Sequence, residues 1–199
     1  SLWKELAELG WPGVAISEDN GGGGLGVVEL ASLMEESGYS LAGSPLLASA
    51  AAGLAIQEAG SDSQKAEWLP GLASGELKGS FGVEGALFPD AEGADVIVSV
   101  AADGGSAVVG AGSDFQVEAV DAIDPTRRYA TVTGSGGEAM PGDIGAALSL
   151  VAIITSAELV GISLRNLEMT VEYVKDRKQF GKPVGSFQAV QHRCAQMLL

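Results

Sequence analysis

The sequence has very few of the side chains that carry metal or disulfide chemistry. Its 199 residues include one cysteine, Cys194, and one histidine, His192. A single cysteine excludes a disulfide within the chain, and a single histidine excludes a metal cluster built on several histidines. The two residues are two positions apart, so on a helix they would not face each other. We therefore interpret His192 as an ordinary helical side chain and not as half of a Cys–His nucleophilic pair.

Aromatic and basic residues are also scarce. Aromatic residues make up 6% of the chain, so its core must be built largely from Ala, Val, Leu and Ile. Acidic residues outnumber basic ones by 26 to 11, which argues against nucleic acid or an anionic membrane surface as a partner. Residues 1–126 contain three lysines and 20 acidic side chains, whereas residues 127–199 contain eight basic and six acidic ones. A site for an anionic ligand is therefore predicted in the last third of the chain.

The chain also lacks a charged leader followed by an apolar segment. Together with the single cysteine, this predicts a cytoplasmic location. A hydrophobic content of 46% excludes a disordered chain. Because the sequence begins with Ser1 and stops within an amphipathic pattern at Leu199, we expect it to be part of a longer protein.

The pattern of apolar residues divides the chain into three parts. Residues 1–79 contain amphipathic and alanine-rich helical patterns, and Ser61 with Asp62 is typical of a helix N-terminus. Residues 80–143 contain short β-rich runs separated by Asp, Gly and Pro, at 95–100, 106–109, 115–120 and 129–133. Helical periodicity returns in residues 144–199. The predicted fold class is α+β and multi-domain: an N-terminal α-helical domain, a middle antiparallel β domain and the start of a C-terminal helical bundle.

The last part opens with a helix of unusual length. Apolar residues recur at three- and four-residue steps from Ile144 to Val174. Residues 146–164 are apolar enough to suggest a membrane span. Glu158 and several Ser or Thr side chains lie within them, however, so we predict a helix buried in a bundle and no membrane span.

The sequence also predicts where this helix ends. Arg177 and Lys178 complement the dipole of a helix C-terminus, Gly181 can adopt the left-handed cap conformation, and Pro183 prevents continuation. A further helix is predicted to begin at Ser186.

Two glycine-rich segments could suggest phosphate binding, but neither has the remaining residues of such a motif. Gly110 and Gly112 follow an apolar run, yet Phe115 stands where a dinucleotide-binding turn needs its third glycine, and a strand follows instead of a helix. We predict a β-hairpin turn there. The glycines at 21–26 lack the Lys-Ser/Thr of a P-loop, so we predict a plain loop.

Residues 170–192 contain the most specific pattern in the chain. They combine cationic, amide and aromatic side chains around the predicted helix end: Arg177, Lys178, Lys182, Gln179, Gln188 and Phe180. Such a group can hold a flat, anionic cofactor. From the residues alone, a positively charged helix end followed by a second helix explains the pattern equally well.

The residues RKQFGKPVGSFQ at 177–188 closely resemble the R-x-Q-F-G-x-P-x-x-x-F-Q signature of the acyl-CoA dehydrogenase family. Residues 3–24 and 64–76 also resemble the N-terminal helical domain of that family. Its members are flavoenzymes that introduce a double bond between the α and β carbons of acyl thioesters. The resemblance implies that Arg177 and Gln188 contact FAD, mainly held by a neighbouring subunit, and that Gln179 and Phe180 line the same region.

The sequence departs from the family pattern at two places. Between residues 80–85 and 87–91 the family usually has a longer passage that packs near the flavin. The carboxylate that serves as the family's catalytic base usually lies in the C-terminal domain, which implies a position beyond Leu199. We therefore assign no catalytic residue in this chain, since Glu158, Glu168 and Glu172 match no family motif.

The resemblance leads to a main hypothesis and two alternatives. The main hypothesis is an FAD-dependent acyl-CoA dehydrogenase that acts on a CoA thioester, passes electrons to a flavoprotein acceptor and forms a homo- or hetero-oligomer, as a dimer or tetramer. The first alternative is a non-catalytic partner subunit that contributes Arg177 and Gln188 to a shared FAD site. A flavin monooxygenase of the same fold is the weaker alternative. The acyl type cannot be read from the sequence.

Overall fold

The computed structural model describes residues 1–134 and 136–198, and its N-terminal part is helical. This part contains α1 (Leu2–Glu8), α2 (Val27–Tyr39), α3 (Leu46–Ala59) and α4 (Asp62–Ser74). Helix α3 is rich in alanine and buried on nearly all sides, as expected of a helix that is apolar all round. It contacts α4, the first β-strand and the long C-terminal helix, so it forms the centre of the main core.

Helix α4 begins as its sequence predicts. The Ser61 hydroxyl accepts a hydrogen bond from the Gln64 backbone N–H at 3.2 Å, and the Gln64 side chain accepts one from the Ser61 N–H at 2.9 Å. This reciprocal pair satisfies two N–H groups that the helix itself cannot pair. The Gln64 side-chain amide also donates to the Ala139 carbonyl at 3.1 Å, which fixes the start of α4 against the β region.

Within residues 79–134 and 136–139, the strands form two small sheets. The strands are β1 (Gly79–Val83), β2 (Phe88–Pro89), β3 (Val96–Val100), β4 (Ala107–Ala111), β5 (Gln116–Val120), β6 (Tyr129–Thr133) and β7 (Glu138–Ala139). The first sheet has the order β1-β3-β4-β7 and the second β2-β6-β5. All pairs are antiparallel except β1 and β3, which are parallel because β2 lies between them in the chain and joins the other sheet. The four β-rich runs of the sequence are β3, β4, β5 and β6, as predicted.

The turn at Gly110 and Gly112 is not a hairpin, and that prediction was wrong. Strand β4 belongs to the first sheet and β5 to the second, so these residues carry the chain from one sheet to the other. Gly112 lies against the Ala94 carbonyl, where a side chain would not fit. One 3₁₀ turn (Gly112–Asp114) and then strand β5 follow, in place of the α-helix that a dinucleotide-binding motif needs.

The first sheet and the helices share one hydrophobic core, which includes Val96 and Val98 of β3. A smaller core lies between the second sheet and β3, around the fully buried Phe88. The edge of β1 is joined to α3 by the Ser49 hydroxyl, which accepts a hydrogen bond from the Gly79 N–H at 3.0 Å. The β region is therefore held directly against the central helix.

The long helix α5 (Ile144–Asp176) runs for 33 residues, about 50 Å. Its N-terminus is capped by Asp143, whose side chain accepts from the Gly145 N–H at 2.8 Å. It crosses α2 where Gly161 lies against the backbone of Glu35 and Gly38 lies against the backbone of Glu158. The two helices can approach this closely only because these positions carry no Cβ.

Among the described residues, α5 is the one helix long and apolar enough to cross a membrane by length and composition. A buried core helix passes the same test. Helix α5 packs one face against α2 and α3 and buries Glu158 there. The Arg127 side chain donates to Glu158 at 3.1 Å. The prediction of a helix buried in a bundle is therefore confirmed for this face only, since Ile153, Leu159 and Val160 on α5 are exposed in the described residues.

The C-terminal end of α5 differs from the prediction in one respect. The helix ends at Asp176, and Arg177 after it is extended, with φ −66° and ψ 120°. Gly181 therefore does not cap the helix but lies in a tight turn between strands β8 (Lys178–Gln179) and β9 (Lys182–Pro183). A short 3₁₀ turn then leads into α6 (Gln188–Leu198).

Candidate functional site

The signature segment forms a small hairpin at the end of α5. Lys178 pairs with Pro183 and Gln179 with Lys182, which leaves Phe180 and Gly181 as the two turn residues. Both have positive φ, 54° and 78°, as a two-residue type I′ turn requires. Glycine adopts this conformation freely, whereas phenylalanine rarely does. The chain thus holds an aromatic side chain at the tip in an unfavourable backbone conformation, which is typical of functional positions.

Phe180 projects into solvent, with 91% of its surface exposed. Its ring meets the Phe187 ring edge to face, with 6.1 Å between centroids. The Lys182 ammonium lies 4.4 Å from the centroid of the Phe187 ring, a cation–π contact. The hairpin tip is therefore ordered by its own aromatic and cationic side chains while Phe180 stays accessible.

The hairpin is strongly cationic. Residues 177–199 contain Arg177, Lys178, Lys182 and Arg193 and no acidic residue. Within residues 1–134 and 136–198, none of these cations forms an ion pair. Guanidinium and ammonium groups in this state are available to bind phosphate or pyrophosphate oxygens.

The structure brings three of the four predicted cofactor residues together on the hairpin. Arg177 opens it, Gln179 lies on its first strand and Phe180 on its tip, and all three are exposed. Gln188 is the first residue of α6 and is also exposed. The Val184 N–H donates to the Arg177 carbonyl at 2.7 Å, which closes the base of the hairpin just ahead of α6.

A second candidate site is a cavity of about 690 Å³ on the other half of α5. It lies between α3, β1, the loop before β6 and α5, and its apolar walls include Leu47, Ala51, Phe81, Val151, Leu159 and Ile162. Arg127, Glu158, Asp124 and Thr126 also line it. Cavities of this size hold drug-sized ligands. The sequence did not indicate this site, because its walls come from segments that lie far apart in the chain.

Charged side chains occupy one side of the cavity. The Glu158 side chain is 8% exposed and that of Arg127 is 25% exposed, and they form an ion pair at 3.1 Å. Because a buried carboxylate needs a cationic partner, the glutamate within this apolar helix indicated that a cation lies next to it. The sequence could not show that this cation is Arg127, which lies in a loop 31 residues earlier.

The loop that carries Arg127 is shaped by Asp124. The Asp124 carboxylate accepts hydrogen bonds from the Thr126 hydroxyl at 2.7 Å and from its N–H at 2.9 Å. These bonds, with a smaller contribution from the Arg127 charge, lower the pKa of Asp124 below its ordinary value. Asp124 therefore stays ionised and fixes the turn that leads to Arg127.

The face of β1 where the family has its longer passage is filled by the chain itself. A Cβ on Gly82 would contact the ring of Phe88, which is fully buried. The Ser80 hydroxyl donates to the Pro89 carbonyl at 2.6 Å and holds β2 against β1. Phe88 and β2 therefore pack directly against β1 at Gly82 and Ser80.

Comparison with known proteins gives consistent matches along the chain. Residues 1–76 match the family model "Acyl-CoA dehydrogenase, N-terminal domain", and residues 144–199 match "Acyl-CoA dehydrogenase, C-terminal domain". The acyl-CoA dehydrogenase IpdE2 of Mycobacterium tuberculosis is 35% identical over 198 residues, which cover 99% of this chain and 60% of the relative. A structure described as "Tcur3481-Tcur3483 steroid ACAD G363A variant" superposes with a TM-score of 0.84 at 29% identity, covering 98% of this chain and 62% of that one.

The chain thus spans about three fifths of the length of these relatives. The length of the aligned region differs between two of the relatives. The match with IpdE2 runs over 198 residues, almost the length of this chain, and needs nearly no gaps. The match with FadE12 of M. tuberculosis, at 28% identity over 98% of this chain and 63% of the relative, runs over 251 residues, more than this chain contains. FadE12 therefore has residues without a counterpart here, whereas IpdE2 is short in the same way over the matched region.

Proposed function

Because this chain belongs to the acyl-CoA dehydrogenase family, we propose that it is a subunit of an FAD-dependent acyl-CoA dehydrogenase. The reaction would form a double bond between the α and β carbons of an acyl-CoA thioester. The observation that carries the proposal is the exposed, cationic hairpin from Arg177 to Pro183, which holds the family signature at the end of α5.

The side chains of the hairpin fit FAD by their chemistry. Arg177 can donate two parallel hydrogen bonds to a pyrophosphate, and Lys178 and Lys182 add positive charge nearby. Gln179 and Gln188 offer amide donors and acceptors, and Phe180 offers an aromatic surface for a flat ring. When bound, FAD supplies the acceptor for the hydride that leaves the β carbon. The hairpin residues hold and orient the cofactor and take no part in proton transfer.

The position of the hairpin favours a cofactor shared between subunits. From the crossing with α2 at Gly161, α5 continues for 15 residues to Asp176, about 22 Å. Within the described residues, the hairpin strands pack mainly on each other and on the end of α5. We propose that it reaches FAD held mainly by a neighbouring subunit, which makes the protein a homo- or hetero-oligomer.

We place the acyl group of the substrate in the 690 Å³ cavity. Its apolar walls would cover the hydrocarbon part, and its volume lies within the usual range for ligand pockets. Among the described residues, the cavity offers no free carboxylate for proton abstraction, because Glu158 is paired with Arg127 and Asp124 with Thr126. We therefore assign the catalytic base to none of the described residues.

One observation favours the second candidate, a non-catalytic partner subunit of a heteromeric dehydrogenase. Phe88 fills the β1 face at which the family's longer passage would pack near the flavin. IpdE2 is similarly short over the matched region. The description of the structural neighbour, Tcur3481-Tcur3483, carries two protein names. As a non-catalytic partner subunit, the chain would use its hairpin to contact FAD that another subunit holds, and it would bind little flavin by itself.

The test is the visible spectrum of the full-length protein, followed by anaerobic addition of straight-chain, branched and steroid acyl-CoAs. We expect a flavin band that at least one thioester bleaches. A band that no thioester bleaches would contradict dehydrogenation. A band that appears only after a second family member is co-expressed would favour the partner subunit.

The proposed dehydrogenase also needs an electron acceptor and a cellular compartment in which it works. We propose that a flavoprotein acceptor reoxidises the enzyme and that the protein works in the cytoplasm. The lone, unpaired Cys194 supports a reducing compartment.

A further inference from the structure

The cavity beside α5 has an ion pair in a mainly apolar wall. Most of its lining side chains are aliphatic or aromatic, yet the Arg127–Glu158 ion pair lies among them. The Arg127 Nη2 donates to Glu158 Oε1 at 3.1 Å, the one hydrogen bond that the Arg127 side chain makes within residues 1–134 and 136–198. A guanidinium has five N–H donors, so the other donors of Arg127 make no hydrogen bond to the described residues.

Stability alone does not account for this pair. Removing two charges from water costs several kcal/mol, and well-packed apolar side chains in place of a buried ion pair are often as stable or more so. Helix α5 already has apolar contacts with α2 and α3 at this level, including the fully buried Ile154 and Met34. The placement of Arg127 in the cavity wall therefore points to a bound ligand.

The balance of charge restricts which ligand can approach Arg127. The cavity contains one cation, Arg127, and two carboxylates, Glu158 and Asp124. An anionic group beside Arg127 would meet the buried Glu158 carboxylate, where like charges repel more strongly than in water, as well as the exposed Asp124 carboxylate. A neutral oxygen accepts a hydrogen bond from Arg127 without that penalty, and a hydroxyl can also donate to Glu158 or Asp124.

We propose that Arg127 and Glu158 select, within the acyl cavity, a large and mainly apolar acyl group that carries a neutral oxygen, a ketone or a hydroxyl. The inference rests on the proposed acyl-CoA function and specifies its substrate class. Arg127 would donate to the ligand oxygen, and Glu158 would hold the guanidinium in position.

The test is calorimetric binding to the full-length protein as purified, with any co-purifying subunit. The probes are decanoyl-CoA, a series of oxodecanoyl-CoAs in which the ketone moves along the outer half of the chain, and decanedioyl-CoA. We expect at least one ketone to bind about 10-fold tighter than decanoyl-CoA, the gain of one hydrogen bond to a charged donor. Decanedioyl-CoA, with its carboxylate, should bind more weakly than that ketone.

The double variant Arg127→Met/Glu158→Leu removes both charges together and leaves neither one unpaired. It should lose the preference for the ketone and still bind decanoyl-CoA. The control is Arg165→Met/Glu168→Leu, which removes an ion pair on the same helix outside the cavity and should keep the preference.

The outcomes separate the two proposals. Equal binding of all thioesters, or a ketone preference that survives the Arg127/Glu158 double variant, overturns the specificity inference while acyl-CoA binding stands. Binding of no thioester overturns both proposals.

Discussion

Arg177 is the residue on which we expect cofactor binding to depend most. It lies directly after α5, it is exposed, and its backbone closes the hairpin while its side chain is free of ion pairs among the described residues. Its guanidinium is therefore available to a ligand and contributes little to the fold. The role itself stays a prediction, implied by the resemblance of residues 177–188 to the family signature.

We expect Arg177→Ala in the full-length oligomer to weaken FAD binding by about 10- to 100-fold, the loss of a charge-assisted hydrogen bond. The unfolding free energy of the apoprotein should stay within about 0.5 kcal/mol, as for other exposed sites. Fluorimetric titration of the apoprotein with FAD measures the first and urea unfolding the second. The matched control Arg193→Ala, an exposed arginine on α6, should bind FAD normally. Unchanged FAD affinity in Arg177→Ala would refute the assigned role.

Asp90 is the residue whose ionisation should matter most for pH dependence. It follows β2 in a left-handed conformation, with φ 54°, and its N–H donates to the Arg128 carbonyl at 2.9 Å. Burial raises the pKa of its carboxyl above 3.8, and the charges of Arg128 and Arg127 offset part of this effect. Because the native state holds the proton more tightly than the unfolded chain, Asp90 lowers stability as pH rises through the raised pKa.

The variant Asp90→Asn should therefore be more stable than the parent protein at pH 7. Asparagine also tolerates positive φ, so the substitution adds no backbone strain. The gain should shrink as pH falls and vanish below 3.8, where the aspartate is protonated in both states. Urea unfolding across this pH range measures it, and Glu92→Gln, an exposed carboxyl nearby, controls for the change in net charge. An equal gain at all pH values would contradict the role of ionisation.

Helix α5 contributes to both candidate sites. Its first half forms a wall of the cavity and its last residue joins the hairpin. Periodicity predicted the helix and its extent well, because the apolar stripe is long and unbroken. It could not predict the ending, since Phe180 adopts positive φ against its own preference and turns an expected helix cap into a hairpin.

The crossing of α5 with α2 offers a test at the level of elements. We expect Gly161→Ala to lower the unfolding free energy by about 1–3 kcal/mol, because its Cβ would meet the backbone of Glu35, which cannot move aside easily. Urea unfolding measures the change. Gly53→Ala is the control, since its Cβ would meet only the end of the Ile16 side chain at 3.3 Å and alanine favours the helix. A neutral Gly161→Ala would indicate a looser crossing.

At the scale of the whole molecule, the uneven charge distribution agrees with the arrangement of sites. The acidic residues 1–126 form most of the scaffold, whereas the cationic hairpin lies at the far end of α5. The sequence predicted the succession of helices, strands and helix because each has its own periodicity. It could not predict the parallel β1–β3 pair, the two separate sheets or the cavity, since these depend on contacts between distant segments.

We propose that this chain belongs to an FAD-dependent dehydrogenase whose cofactor site is completed across a subunit interface. Sedimentation velocity of the full-length protein, recorded at both the protein and the flavin absorbance bands, tests it most directly. We predict that flavin sediments only with an oligomer and that Arg177→Ala reduces the flavin carried by that oligomer. Flavin that sediments with a monomer, or an oligomer whose flavin content is unchanged by Arg177→Ala, would contradict the claim.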